Sequence, residues 1–146
     1  PAQQQLTATR LQATQVAGDL QKTRKDLASA QQGLQAAKDQ AAQAKSRLEI
    51  EVARTQVLRA INAVTLAQMA VQGGNKAGAV KSLDTAQGYL QAVQPLLEKR
   101  DSGQVSTLQA LFILAKNDLD RDLKLAGQDL ERLQSELQRA ESNILK

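Results

Sequence analysis

Hydrophobic residues recur at every seventh position along the first third of the chain. Small or weakly polar residues follow three positions after most of them, from Thr9 through Ala30 to Ala44. This repeat predicts a coiled-coil helix over residues 1–49. Such a helix cannot bury one narrow stripe alone, so we expect a second helix to cover it. The a positions of the repeat are Leu6, Ala13, Leu20, Leu27, Leu34, Ala41 and Leu48. The candidate interaction residues are Leu6, Val16, Leu20, Leu27, Leu34 and Leu48.

The apolar face widens after residue 50, which favours packing against two helices rather than one. Gly73-Gly74-Asn75 predicts the end of the first helix near residue 72, with Asn75 capping the next. Apolar residues then predict a second helix over about 76–98 and a third over about 104–145, with Ser102 as its N-cap. Pro95 is expected to bend or fray the last turn of the second helix.

Short loops make successive helices antiparallel neighbours. The predicted fold is therefore elongated and all-α: a coiled-coil stalk over 1–49 continues into a three-helix bundle over 50–146, with helices at about 50–72, 76–98 and 104–145. The apolar residues expected to be buried together between the three helices are Val57, Ile61, Val64, Leu83, Leu90, Leu108 and Phe112.

Composition supports helices and argues against enzymatic chemistry. Ala, Gln and Leu make up 68 of the 146 residues, whereas Phe and Tyr occur once each. Cys and His are absent, which removes disulfides, the common metal ligands, thiol nucleophiles and the usual general base. We therefore expect no enzyme activity, no catalytic residue, no cofactor and no metal.

Three aspartates, Asp118, Asp120 and Asp122, follow Asn117 at intervals of two residues, a spacing that calcium loops share. Calcium loops also need a glycine at the bend and a distal bidentate glutamate. Because the apolar stripe continues through Leu119 and Leu123, we expect this segment to be a solvated helix face instead.

Positive charge is concentrated in the first helix, where residues 1–60 hold nine basic and five acidic side chains. Binding of nucleic acid or an anionic surface would be electrostatic and salt-sensitive. No aromatic side chains are interleaved to stack on bases, so a solvated coiled-coil surface is the favoured interpretation. No apolar run is long enough for a transmembrane segment. The polar start without Met suggests that the chain is part of a longer protein.

Residues 58–90 resemble a single tetratricopeptide helix pair, through Leu66-Ala67, the turn at 74–79, Leu83 and Ala86. No second copy follows at that family's repeat length, and a generic helical hairpin explains the same residues. The larger layout resembles HemX-like bacterial membrane-anchored proteins, in which a coiled coil precedes helical pairs. That resemblance implies a scaffold role and an extracytoplasmic location, and it transfers no catalytic residue.

These observations predict a non-enzymatic structural or scaffold protein that acts by helix–helix association. The expected partner is a second copy of the chain, in a homo-oligomer, or another helical protein. The alternative is a helical module that binds a peptide or an apolar ligand in a groove between the first two helices. Weak binding of nucleic acid or anionic surfaces is the third possibility.

Overall fold

The computed structural model describes residues 1–146 and contains four helices and no strand. The helices are α1 (Ala2–Gln72), α2 (Lys76–Arg100), α3 (Ser102–Arg121) and α4 (Leu123–Ile144). The all-α prediction is confirmed. The chain divides into two compact units, Pro1–Ser46 and Arg47–Lys146.

The first unit, Pro1–Ser46, is a single helical segment in which every side chain is exposed. Hydroxyls of Thr7, Thr9 and Thr14 donate hydrogen bonds to carbonyl oxygens four residues earlier, at 2.9–3.0 Å. These bonds satisfy the threonine side chains locally and add no tertiary contact. The helix of this unit is therefore held by local hydrogen bonds and helix propensity alone.

The second unit, Arg47–Lys146, is a four-helix bundle. The end of α1 runs antiparallel to α4, since Arg54 bonds to Glu141, while Gly127 lies so near Val71 that a Cβ added to it would be 3.8 Å from Val71 Cγ1. An ion pair between Lys116 and Asp84 joins α3 to α2. The core consists of Ala, Val and Leu from all four helices, together with Phe112 and Ile144.

The predicted single helix over about 104–145 is wrong, because the chain breaks at Asp122. This residue has an extended backbone (φ −155°, ψ 109°), and its Oδ1 accepts hydrogen bonds from the backbone N–H groups of Lys124 and Leu125 at 2.8 and 3.4 Å. Aspartate competes well for free N–H groups at a helix start. The segment thus forms α3 and α4, and the bundle has four helices instead of three.

A second aspartate also ends one helix and begins the next. Asp101 is extended (φ −157°, ψ 93°) and accepts a hydrogen bond from Gln104 N at 3.1 Å, so it is the N-cap of α3 in place of the predicted Ser102. The segment left between the two predicted helices, residues 99–103, reduces to this one residue, because α2 continues through Pro95 to Arg100 and α3 begins at Ser102. Lys99 and Arg100 in the last turn of α2 complement the helix dipole.

The first turn forms as predicted. Gly74 has φ +69°, a left-handed conformation that suits glycine, and Asn75 Oδ1 accepts a hydrogen bond from Gly78 N at 2.9 Å. Ile61 is only partly buried, which differs from its predicted core position. The other six predicted core residues are buried as expected: Val57, Val64, Leu83, Leu90, Leu108 and Phe112.

Candidate interaction surfaces

The apolar stripe of the first unit is exposed to solvent. Its residues follow the seven-residue repeat along α1, and each of these side chains keeps at least half of its surface exposed. Nothing in residues 1–46 covers them, because all side chains of this unit are exposed. The stripe residues are Leu6 (53% exposed), Val16 (65%), Leu20 (50%), Leu27 (57%) and Leu34 (57%).

Leu48, the last residue of the predicted seam, belongs to the second unit and lines a groove there. The seam prediction therefore joins residues that lie in different units. Within residues 1–46, the predicted seam residues lie along one helix and do not form a pocket.

The groove of the second unit runs between α1 and α2 and has a volume of about 500 Å³. Most of its lining is apolar, and Glu49 and Lys99 place one charge of each sign at its side. The other lining residues are Leu48, Val52, Ala53, Gln56, Ala92, Val93, Pro95 and Leu96. A groove of this size and lining suits an apolar side chain or a short helical segment.

A groove between the first two helices entered the sequence analysis only as part of the alternative hypothesis, without its residues. Val52 and Pro95 line it, although Val52 was neither a predicted seam residue nor a predicted core residue, and Pro95 was expected only to disturb its helix. Val52 follows Leu48 by one helical turn, a spacing that places both side chains on one face. That four-residue spacing was the signal in the sequence from which Val52 could have been predicted as a neighbour of Leu48.

A polar chain links α1 to α4 within the bundle. Gln68 Nε2 donates to Gln134 Oε1 at 3.1 Å, and Gln134 Nε2 donates to Thr65 Oγ1 at 3.2 Å. All three side chains are partly buried. Because paired amides and hydroxyls are costly to separate when buried, this chain favours one register of α4 on α1.

An acidic pair lies in the hairpin of α3 and α4. Asp129 is 5% exposed, and its Oδ2 has no hydrogen-bond partner. Burial raises the pKa of Asp129, and the neighbouring Asp118 carboxyl raises that pKa further, whereas Arg132 opposes the shift. The sequence pattern placed Asp118 on a solvated face and gave Asp129 no role.

The acidic residues of α3 do not assemble a metal site. No group of three or more acidic side chains is arranged to hold a metal ion. Asp120 instead pairs with Lys76 of α2, and Asp122 caps α4. None of the helices combines the length and apolar content that crossing a membrane requires.

Comparison with known proteins adds no family. No family model matches the chain, and neither the curated proteins nor the solved structures contain a significant match. The resemblances to HemX-like proteins and to a tetratricopeptide pair therefore stay predictions.

Proposed function

We propose that the chain is a non-enzymatic scaffold that acts by helix–helix association through the apolar stripe of residues 1–46. The exposed stripe carries this proposal. A lone exposed leucine is ordinary, but leucines repeated on one face of a helix leave a continuous apolar surface in water. Burying that surface against another helix is favourable by roughly 25 cal/mol per Å² of apolar area.

The partner class follows from the shape of the stripe. Its a positions are mostly leucine, whereas its d positions are Thr, Val and Ala, as at Thr23, Ala30 and Ala37. Small d residues let a second helix approach closely. A long helix that lies along the stripe fits such a surface better than a partner surface that is not helical. The first such helix to consider is the same helix of a second copy of this chain.

Sedimentation equilibrium tests the proposal, with the chain at 1–100 µM. We expect an average mass above the 15.7 kDa of one chain, rising with concentration. Replacing both Leu20 and Leu27 with Gln keeps a good helix former but removes the apolar contact, and should return the mass toward that of one chain.

Leu11→Gln is the matched control for this experiment. Leu11 lies on the same helix and is 63% exposed, but it is outside the stripe. We expect this variant to associate as the unaltered chain does. A mass of one chain at every concentration for the unaltered protein would contradict the proposal, as would equal association of the Leu20/Leu27 variant.

The groove between α1 and α2 supports the second candidate function, a module that binds a peptide or an apolar ligand. An apolar fluorescent probe, 1-anilinonaphthalene-8-sulfonate, tests whether this groove accepts apolar groups. We expect Val52→Asp to reduce the fluorescence gain, and Leu66→Asp, at an exposed position of α1 outside the groove, to leave it unchanged. Equal gains in both variants would count against this function.

Binding of nucleic acid or an anionic surface stays a prediction. The two aromatic residues, Tyr89 and Phe112, lie in the second unit, where Arg59 stands 6.0 Å from the Tyr89 ring and Phe112 is buried in the core. No aromatic residue lies within residues 1–46 to stack on bases beside their cations.

A further inference from the structure

We propose that the stripe of residues 1–46 pairs with the same stripe of a second copy in parallel and in register. This inference rests on the proposed function, which supplies the association but not its direction. It is carried by the charges that flank the stripe, since residues at the e and g positions of a coiled coil set the orientation of the partner.

One flank of the stripe is basic. The e positions follow each d residue, and within residues 1–46 every charged e residue is a cation: Arg10, Arg24, Lys38 and Lys45. All four side chains are exposed, and none forms an ion pair within the chain. They are available to a partner helix.

The opposite flank is acidic. The g positions precede each a residue, and within residues 1–46 the charged g residues are Asp19 and Asp26. Both are exposed and make no ion pair within the chain. The remaining g residues up to Gln40 are Gln or Gly, so no cation lies on this flank of the first unit.

A parallel pairing places unlike flanks together. In register, the g residue of one heptad faces the e residue of the next heptad on the other helix, so Asp19 faces Arg24 of the second copy. Two-fold symmetry repeats this ion pair. Asp26 faces the neutral Gln31, and the other cations face Gln or Gly. No like charges meet along the seam.

An antiparallel pairing places like flanks together. There, e residues face e residues and g residues face g residues, so a charged residue can face only a like charge or a neutral residue, and no attractive ion pair forms. Like charges facing each other are destabilising. The flanks therefore favour the parallel arrangement.

Disulfide trapping tests the orientation in the full-length chain. The protein has no cysteine, so each variant carries a single thiol. Residues 9 and 37 are d positions roughly 40 Å apart along the helix. In a parallel, in-register pair each faces its own copy, and a disulfide requires Cα atoms within about 7 Å.

We expect Thr9→Cys and Ala37→Cys each to form disulfide-linked dimers under mild oxidation. Leu11→Cys, on the outer face of the same helix, controls for random collision and should link far less. Association of the Thr9 and Ala37 variants without linkage would overturn the parallel, in-register arrangement. Linkage of all three to the same extent would overturn it too. A mass of one chain for the unaltered protein would instead overturn the proposed function.

A charge reversal gives an independent test whose sign differs between the two orientations. Asp19→Lys in a parallel pair replaces two attractive contacts with two repulsive ones, which should weaken the dimer roughly tenfold. Adding Arg24→Asp in the same chain should restore the affinity. In an antiparallel pair Asp19 faces either an aspartate or a neutral g residue, so Asp19→Lys would strengthen association or leave it unchanged. Unchanged or tighter association of this variant, measured by sedimentation, would therefore overturn the proposal.

Discussion

Arg54 of α1 donates a hydrogen bond from its Nε to Oε1 of Glu141 on α4 at 2.9 Å, across 87 residues of sequence. In the predicted three-helix arrangement this contact is impossible, because a continuous helix over 104–145 would carry residue 141 away from the start of the bundle. The contact exists because the chain reverses at Asp122, which brings α4 back along α1.

Leu130 tests whether α4 belongs to the bundle core. It is fully buried, whereas Leu125 on the same helix is 46% exposed. We expect Leu130→Ala to lower the free energy of unfolding by about 2–5 kcal/mol, as large-to-small core changes do. Leu125→Ala should change it far less. Chemical denaturation measures both, and similar effects would mean that α4 is not docked as described.

The reversal at Asp122 depends on its side chain as a helix cap. We expect Asp122→Ala to cost about 1 kcal/mol of stability, because the N–H groups of Lys124 and Leu125 lose their acceptor. Asp122→Asn keeps a capping oxygen and should cost much less. Equal losses in urea titrations of the two variants would show that the cap does not stabilise α4.

Asp129 should make stability depend on pH. The folded protein holds its proton more tightly than the unfolded chain does, because burial and Asp118 raise its pKa. Stability from this residue is therefore greatest below the ordinary aspartate pKa and falls as pH rises through the raised value. We expect Asp129→Asn to raise the thermal midpoint at pH 7 and to gain less at pH 4.

Glu131→Gln is the control for Asp129→Asn. Glu131 lies on the same helix but is exposed and makes no ion pair. The Glu131→Gln variant loses the same charge as Asp129→Asn, but from an exposed side chain, so no buried carboxylate is removed. An equal rise in the midpoint for both variants would assign the effect to net charge rather than to the acidic pair.

Hydrogen exchange separates the two units by their protection. Residues 10–40 have no buried side chain, whereas residues 55–70 contribute Val57 and Val64 to the core. We expect amides of residues 10–40 to exchange quickly at 1 µM and more slowly at 100 µM, as a second copy covers the stripe. Amides of residues 55–70 should exchange slowly at both protein concentrations. Slow exchange of residues 10–40 at 1 µM would contradict this.

Periodicity predicted the helices and most of the core because burial follows directly from which side chains repeat at helical spacing. The bounds of α1 and α2 lie within two residues of the prediction, aided by the glycine pair at 73–74. The break at Asp122 was not predicted, because Leu119 and Leu123 keep a helical spacing across it. The capping bonds of Asp122, which stop the helix, leave no trace in a pattern of apolar residues.

The groove and the acidic pair were harder to predict for a different reason. Both arise where separate helices meet, so Val52 and Pro95, or Asp118 and Asp129, become neighbours only through packing. The seam residues, in contrast, share one helix, and their common face follows from spacing alone. Whether they associate stays a prediction.

The connections from α2 to α3 and from α3 to α4 are each one residue long, Asp101 and Asp122. One added residue at either position would turn the following helix by about 100° and point its leucines away from the core. These two one-residue connections therefore fix which faces of α3 and α4 point into the core. The turn at Gly73-Gly74-Asn75 is longer and fully exposed, so inserted peptides, tags or a permuted terminus belong there.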